Sequence, residues 1–284
     1  MPLHEEKRTK QTVITLKNKK KRGEKISAVT SYDFPTARVS SEAGIDLILV
    51  GDSLGMVLQG NKNTLKVTME EMIYHTRLVS SAEPLSLVVS DMPFGSFHTS
   101  PEKAVENAVR FVKEGGAEAV KLEGGRKRFK VIEAIIDAEI PVLGHLGLTP
   151  QSIHQMGGFK IQGKLKRKAD EMVEDAVELE KRGVFAVVLE SIPVEIARSI
   201  TERLSIPTIG IGAGKYCDGQ ILVFHDLVGF TDFYIPKFVR KYADTYSTIY
   251  NALENYIKDI HSGNFPGDSE SFYLKNSKNK EVEK

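Results

Sequence analysis

Apolar residues along this chain come mostly in short runs, separated by polar and amphipathic stretches. The runs at residues 25–32, 46–51, 85–91, 119–123, 141–146, 185–190, 207–212 and 221–225 are rich in Val, Ile and Leu and do not alternate strictly with polar positions. A strand with one wet face alternates; a strand of a parallel sheet covered on both faces does not. The runs therefore predict buried parallel strands. Between most of them, apolar residues recur at helical spacing. Thr68-Met69-Glu70-Glu71 has the composition of a capping box, in which the Thr hydroxyl and the Glu carboxylate satisfy two orphan N–H groups, and it predicts a helix through Ser80. Ser100-Pro101 opens another, with Ala104, Ala108, Phe111 and Val112 on one face and Gly115-Gly116 as its end. Residues 167–182 predict a third, with Met172, Val173, Ala176, Val177 and Leu179 turned inward. Residues 236–261 predict a long amphipathic helix that closes the fold.

This strand–helix alternation recurs about eight times. That count fits an α/β chain folded as one (β/α)8 TIM barrel, a fold of typically ~250 residues, with a doubly wound sheet as the structural alternative. The expected organisation is an N-terminal arm over residues 1–24, a barrel catalytic domain over 25–265 and a polar C-terminal tail over 266–284.

Composition narrows the function. Lys and Arg total 39 against 38 Asp and Glu, so no global field attracts nucleic acid or an acidic membrane. The basic run from Lys19 to Arg22 is local and reads as a solvated arm or turn. The single cysteine, Cys217, excludes a disulfide framework and cysteine-rich metal sites. No apolar stretch has the length of a membrane span and no leader pattern is visible, so a soluble cytoplasmic protein is expected.

In a barrel of this kind the chemistry sits at the C-terminal ends of the strands. Those ends carry Asp52-Ser53, Asp91, Lys121 with Glu123, His145 and Glu190. Each has an ordinary explanation, since an Asp after a strand also caps helices, Lys and Glu two apart also form an ion pair, and a core histidine is common. Three carboxylates on neighbouring strands are harder to explain singly, because they repel unless a cation or protons join them; hard oxygen ligands suit Mg²⁺. Lys121 shares a face with Glu123, where an ammonium can hold a substrate carboxylate. Glu190 ends an apolar run, and burial there raises a carboxylate's pKa toward that of a general base, although a cap or ion pair fits its position equally. The glycines of Gly210-Ile211-Gly212-Ala213-Gly214 suit a phosphate loop no better than a tight turn.

Several segments together carry a family resemblance: Thr30-Ser31-Tyr32-Asp33, the run from Val50 to Met56, Tyr74-His75, Val120 to Gly125, Gly144 to Gln151, Leu189-Glu190, Ile209 to Gly214 with Asp218-Gly219-Gln220, and Pro236-Lys237-Phe238. From about residue 26 to 272 the chain resembles the ketopantoate hydroxymethyltransferases. The resemblance implies a (β/α)8 barrel that assembles as a homodecamer. It implies transfer of a hydroxymethyl group from 5,10-methylenetetrahydrofolate to 3-methyl-2-oxobutanoate through a metal-stabilised enolate, giving ketopantoate for pantothenate and coenzyme A, with one Mg²⁺ per subunit. Matched position by position, Asp52, Asp91 and Glu123 are metal ligands. Asp52, Ser53, Asp91, Lys121 and His145 contact substrate, and Glu190 is the proton acceptor. The chain departs from the family at Gly60-Asn61-Lys62-Asn63-Thr64, at Thr231-Asp232-Phe233-Tyr234 and at Glu270-Ser271-Phe272, none of them among the residues so matched.

Three other readings remain at this stage. A metal-dependent lyase or mutase of a pyruvate-like acid uses the same enolate strategy. A Schiff-base aldolase would use Lys121, against neighbouring carboxylates that keep an amine protonated. A non-catalytic assembly protein would have no need for the strand-end carboxylates.

Overall fold

The computed structural model describes residues 8–158, 160–231 and 235–274. Its strands are β1 (Ile26–Thr30), β2 (Leu47–Val50), β3 (Leu87–Asp91), β4 (Ala119–Glu123), β5 (Val142–Gly147), β6 (Ala186–Glu190), β7 (Thr208–Ile211) and β8 (Gly219–Leu222). Each pairs in parallel with its neighbour in sequence, and β8 returns to β1, so the sheet closes on itself without an edge. The helices are α1 (Val13–Lys21), α2 (Phe34–Glu42), α3 (Leu54–Val57), α4 (Met69–Ser80), α5 (Pro101–Arg110), α6 (Phe129–Asp137), α7 (Ile153–Met156), α8 (Lys166–Lys181), α9 (Val194–Arg203), α10 (Phe224–Leu227) and α11 (Thr245–Ser262). The closed strand order decides for the barrel over the doubly wound alternative.

Strand parity decides which side chains enter the barrel. Leu47 and Leu49 of β2, Leu87 and Val89 of β3, Ala119 of β4, Leu143 of β5 and Ala186 and Val188 of β6 form the inner cluster. Ile48, Val50, Val88, Val120, Leu122, Val142, Val187 and Leu189 pack outward under the helices in a second cluster. Both sets are buried, which is why the strands read as unbroken apolar runs. The inner parity continues to Asp91, Lys121, Glu123, His145 and Glu190, so the alternation that fills the barrel also delivers these polar groups to its mouth.

Local signals behave as the sequence leads one to expect at α4, where Thr68 accepts from Glu71 N at 3.2 Å and the Glu71 carboxylate accepts from Thr68 N at 2.8 Å. At α5, Ser100 accepts from Lys103 N at 3.2 Å. This helix passes into a single π turn, Phe111–Gly115, before Gly116 ends it at φ +75°.

Three expectations need correction. The basic run is not a solvated arm: Lys19 and Lys20 lie on α1, and their ammonium groups reach Asp46 at 2.7 Å and Asp218 at 2.8 Å, beside the N-terminal ends of β2 and β8. Leu16 of the same helix is fully buried in the inner cluster, so α1 plugs the bottom of the barrel. The last strand begins at Gly219 and ends at Leu222, and His225 sits in α10. Gly219 has no side chain to signal a strand, and the following apolar run draws the expectation downstream. The final helix starts at Thr245, capped by Asp244, rather than at 236, and none of its residues is buried, so it does not close the barrel. The last residues of the expected tail, 275–284, and most of Thr231-Asp232-Phe233-Tyr234 lie outside the described residues.

Candidate active site

A cavity of about 670 Å³ opens at the C-terminal ends of the strands, and Asp52, Ser53, Asp91, Lys121, Glu123, His145 and Glu190 all line it. The strand register brings them there. Asp91 stands beside Lys121 across β3 and β4, Glu123 beside His145 across β4 and β5, and Glu190 beside Gly147 across β5 and β6. Two backbone features shape the rim. A Cβ at Gly147 (φ +100°) would sit 2.2 Å from the Glu190 carbonyl, so only glycine lets β5 pass the end of β6. Ser191, directly after Glu190, adopts φ +49°, a strained conformation for a residue with a side chain.

The polar groups form one connected set. The Asp52 N–H donates to Asp91 Oδ2 at 3.0 Å. Lys121 Nζ lies 2.9 Å from Asp91 Oδ1 and 3.2 Å from His145 Nδ1. His145 Nε2 lies 3.1 Å from Glu190 Oε2, and its Nδ1 lies 3.7 Å from Glu123 Oε1. Glu123 Oε2 accepts from the backbone N–H of Gln151 at 3.0 Å. Ser53 Oγ is 2.9 Å from the Tyr32 hydroxyl. Proximity is not satisfaction here: Asp91 Oδ1 and His145 Nε2 are buried and close to charged neighbours, yet neither is aligned for a hydrogen bond.

Burial governs the electrostatics. It pushes Asp52 up to about 7, helped by the Asp91 charge and opposed by Lys121, Gln151 and Thr64. It holds Glu123 well above the usual carboxylate range, with Lys121 opposing and Asp52, Asp91 and Glu190 reinforcing. Glu190 is raised to about 7 by burial, against a pull from Lys121. Burial works against the Lys121 ammonium too, but Asp91, Glu123 and Asp52 outweigh it and hold its pKa above that of an ordinary lysine. His145 is pushed well below its usual value by burial and by Lys121, so its ring is neutral and its contacts with Glu123 and Glu190 are not ion pairs. The site thus holds a fixed cation, a neutral imidazole and more carboxylates than one ammonium can balance. Such a site can take a divalent cation, hold an anionic substrate and remove a proton.

A model of the ketopantoate hydroxymethyltransferase family matches residues 10–268. The chain belongs to that family. The 3-methyl-2-oxobutanoate hydroxymethyltransferase of Thermoanaerobacter sp. (strain X514) is 54% identical over 271 residues, covering 95% of this chain and 99% of its own. That of Geobacter metallireducens is 55% identical over 263 residues, covering 93% and 98%. Among solved structures, 2,3-dimethylmalate lyase, a member of the PEP mutase/isocitrate lyase superfamily, aligns with TM-score 0.57 at 16% identity over 93% of this chain and 90% of its own. Phosphonopyruvate hydrolase, in complex with oxalate and Mg²⁺, aligns with TM-score 0.59 at 11% identity over 92% and 93%. Likeness at that level establishes the shared barrel and nothing of the substrate.

For a ketopantoate hydroxymethyltransferase the question is whether these residues suit a metal. Among the described residues, no group of three or more His, Cys, Asp and Glu side chains stands ready-assembled around one point. The donor set nevertheless fits a hard cation: Asp52 and Asp91 are adjacent and buried, Asp91 Oδ1 lacks a hydrogen bond, and Glu123 faces the same cavity.

Two residues near the centre carried no assigned role in the sequence reading. Tyr32, fully buried, touches Ser53, and it follows β1, whose strand end was passed over in favour of the later ones. Gln151 touches both Asp52 and Glu123 from the turn after β5. A polar side chain directly after the proline that opens the turn beyond β5 was the available signal.

Proposed function

We propose that this protein transfers a hydroxymethyl group from 5,10-methylenetetrahydrofolate to 3-methyl-2-oxobutanoate, giving ketopantoate on the route to pantothenate and coenzyme A, in the cytoplasm. The observation that carries the reading is the convergence of Asp52, Asp91, Lys121, Glu123, His145 and Glu190 in one buried cavity of a chain that belongs to this family. Asp52, Asp91 and Glu123 would hold one Mg²⁺. When bound, the cation supplies Lewis-acid stabilisation for negative charge developing on the substrate's keto oxygen.

The remaining steps belong to the protein's own side chains. Lys121 pairs with the substrate carboxylate, a role suited to an ammonium held charged by three neighbours. Ser53, oriented by the Tyr32 hydroxyl, donates to or accepts from the same substrate. Glu190, raised to about 7, takes the proton from C3, and the electron pair left on that carbon forms the new bond to the donor's one-carbon unit. Both bonds from that carbon to the folate nitrogens break in the process: one as the C–C bond forms, the other as water supplies the hydroxyl oxygen. Tetrahydrofolate leaves with the two protons released from C3 and from water. His145, neutral and beside both Lys121 and Glu190, keeps the base and the ammonium apart while contacting substrate.

The working unit in this reading is a homo-oligomer, a decamer by resemblance. Helix α11 supports it with an apolar face open to solvent: Ile249, Leu253, Ile257 and Ile260 are 44–57% exposed, more than a solitary chain usually leaves uncovered on one helix.

The test is an assay with purified protein, 3-methyl-2-oxobutanoate, methylenetetrahydrofolate and Mg²⁺. Ketopantoate should form only when all are present, stop on addition of a chelator and resume when Mg²⁺ is restored. Product formation without the folate, or full activity in excess chelator, would overturn the proposal.

A further inference from the structure

Gln151 sits in the short 3-10 turn Pro150–Ser152 after β5 and is 5% exposed. Its side-chain Nε2 donates to Asp52 Oδ2 at 2.9 Å, beyond the end of β2, and to the Met92 carbonyl at 2.9 Å, beyond the end of β3. Its backbone N–H donates to Glu123 Oε2 at 3.0 Å, at the end of β4. One residue from the far side of the mouth thus ties together three successive strand ends. The amide's orientation is fixed by its partners. Met92 offers a carbonyl, so a flipped side chain would set two oxygens face to face. In this orientation Gln151 Oε1 is buried and has no hydrogen-bond partner.

That combination is poorly explained by packing. The strand ends it touches are already held by the barrel's own ladder. A residue kept for stability alone gains nothing from a buried, unanswered acceptor. What Gln151 does accomplish is to fix two carboxylates on different strands. Left free, Asp52 and Glu123 would rotate apart under mutual repulsion, and a cation would have to reorder both on arrival.

We infer that the Gln151 side chain is a positioning group that presets Asp52, beside a Glu123 held by the same residue's backbone N–H, for a divalent cation, and that its free Oε1 accepts a hydrogen bond from water or substrate brought in with that cation. The inference rests on the cation-assisted reading under Proposed function.

The test uses full-length, chelator-treated protein and Mn²⁺ alone, with free Mn²⁺ read by electron paramagnetic resonance. Gln151→Met keeps the length and removes the side-chain donors; Gln151→Asn keeps the amide but shortens its reach. Circular dichroism and the metal-free thermal midpoint control for folding. Wild type should bind one Mn²⁺ per chain. Both variants should bind it ~10- to 100-fold more weakly, the range found when groups that orient metal ligands are removed. Their metal-free midpoints should stay near wild type. Wild-type Mn²⁺ affinity in Gln151→Met would overturn the inference. So would a loss of affinity matched by an equivalent fall in the metal-free midpoint, which would mark Gln151 as structural. If wild type itself binds no Mn²⁺, the cation-assisted reading fails and this inference with it.

Discussion

At the residue scale, strand parity brings the polar groups to the cavity and hydrogen bonds between strand ends connect them. Asp91, Lys121, Glu123, His145 and Glu190 all continue the inward parity of an apolar strand, so knowing the strands nearly places the side chains. The connections between them were not legible. Nothing in the spacing of Tyr32 and Ser53, or of Gln151 and Asp52, announces a hydrogen bond, because the partners come from different strand ends and meet only when the barrel closes. Two outcomes follow from the geometry. Asp91→Ala should remove Mn²⁺ binding and turnover while circular dichroism stays that of a folded barrel, since a strand-end carboxylate contributes little apolar packing. A variant that kept wild-type activity at limiting Mg²⁺ would refute Asp91 as a ligand. Tyr32→Phe removes one hydrogen bond to Ser53, worth ~0.5–1.5 kcal/mol net. It should raise KM for the 2-oxo acid several-fold and leave kcat nearly unchanged; an unchanged KM would detach Ser53 from substrate binding.

At the element scale, seven strands and the helices with strong caps could be read from the chain; the eighth strand was expected too far downstream, and two ends of the chain could not be read. Helix α1 has few apolar residues and four basic ones near its end, which reads as solvated. Its contribution comes from one residue, Leu16, inserted into the barrel floor, with Lys19 and Lys20 holding it there. A single buried leucine makes no periodic signal. Leu16→Ala should therefore cost ~2–5 kcal/mol, as large-to-small changes in packed interiors do. Chemical denaturation should register that loss while KM for the 2-oxo acid stays at the wild-type value, because the floor lies at the opposite end from the cavity. A variant as stable as wild type would mean α1 is not the plug. At the other end, α11 shows the amphipathic pattern of a core helix, yet none of its residues is buried. Periodicity reveals that a face will be covered and not what covers it.

At the scale of the whole molecule, that uncovered face and the closed barrel answer different questions. The barrel places the cavity; the helix bears on the proposed assembly. Replacing Leu253 and Ile257 together with Asp should convert a large homo-oligomer to smaller species in light scattering, without loss of helix content. A wild-type protein that is monomeric at micromolar concentration would remove the assembly claim. The proposed chemistry turns on Glu190, at the end of β6 in the same cavity and raised to about 7 by burial. Glu190→Gln keeps its shape and removes its basicity, leaving Asp52, Asp91, Glu123 and Lys121 to bind cation and substrate. The decisive measurement is exchange of the C3 hydrogen of 3-methyl-2-oxobutanoate with deuterated water, followed by proton NMR in the presence of Mg²⁺ for wild type and Glu190→Gln. Wild type should exchange that hydrogen, chelator should stop it, and Glu190→Gln should exchange ~10²- to 10⁴-fold more slowly, the usual loss for a general base. Exchange by Glu190→Gln at the wild-type rate, or wild-type exchange untouched by chelator, would contradict cation-assisted proton removal by Glu190.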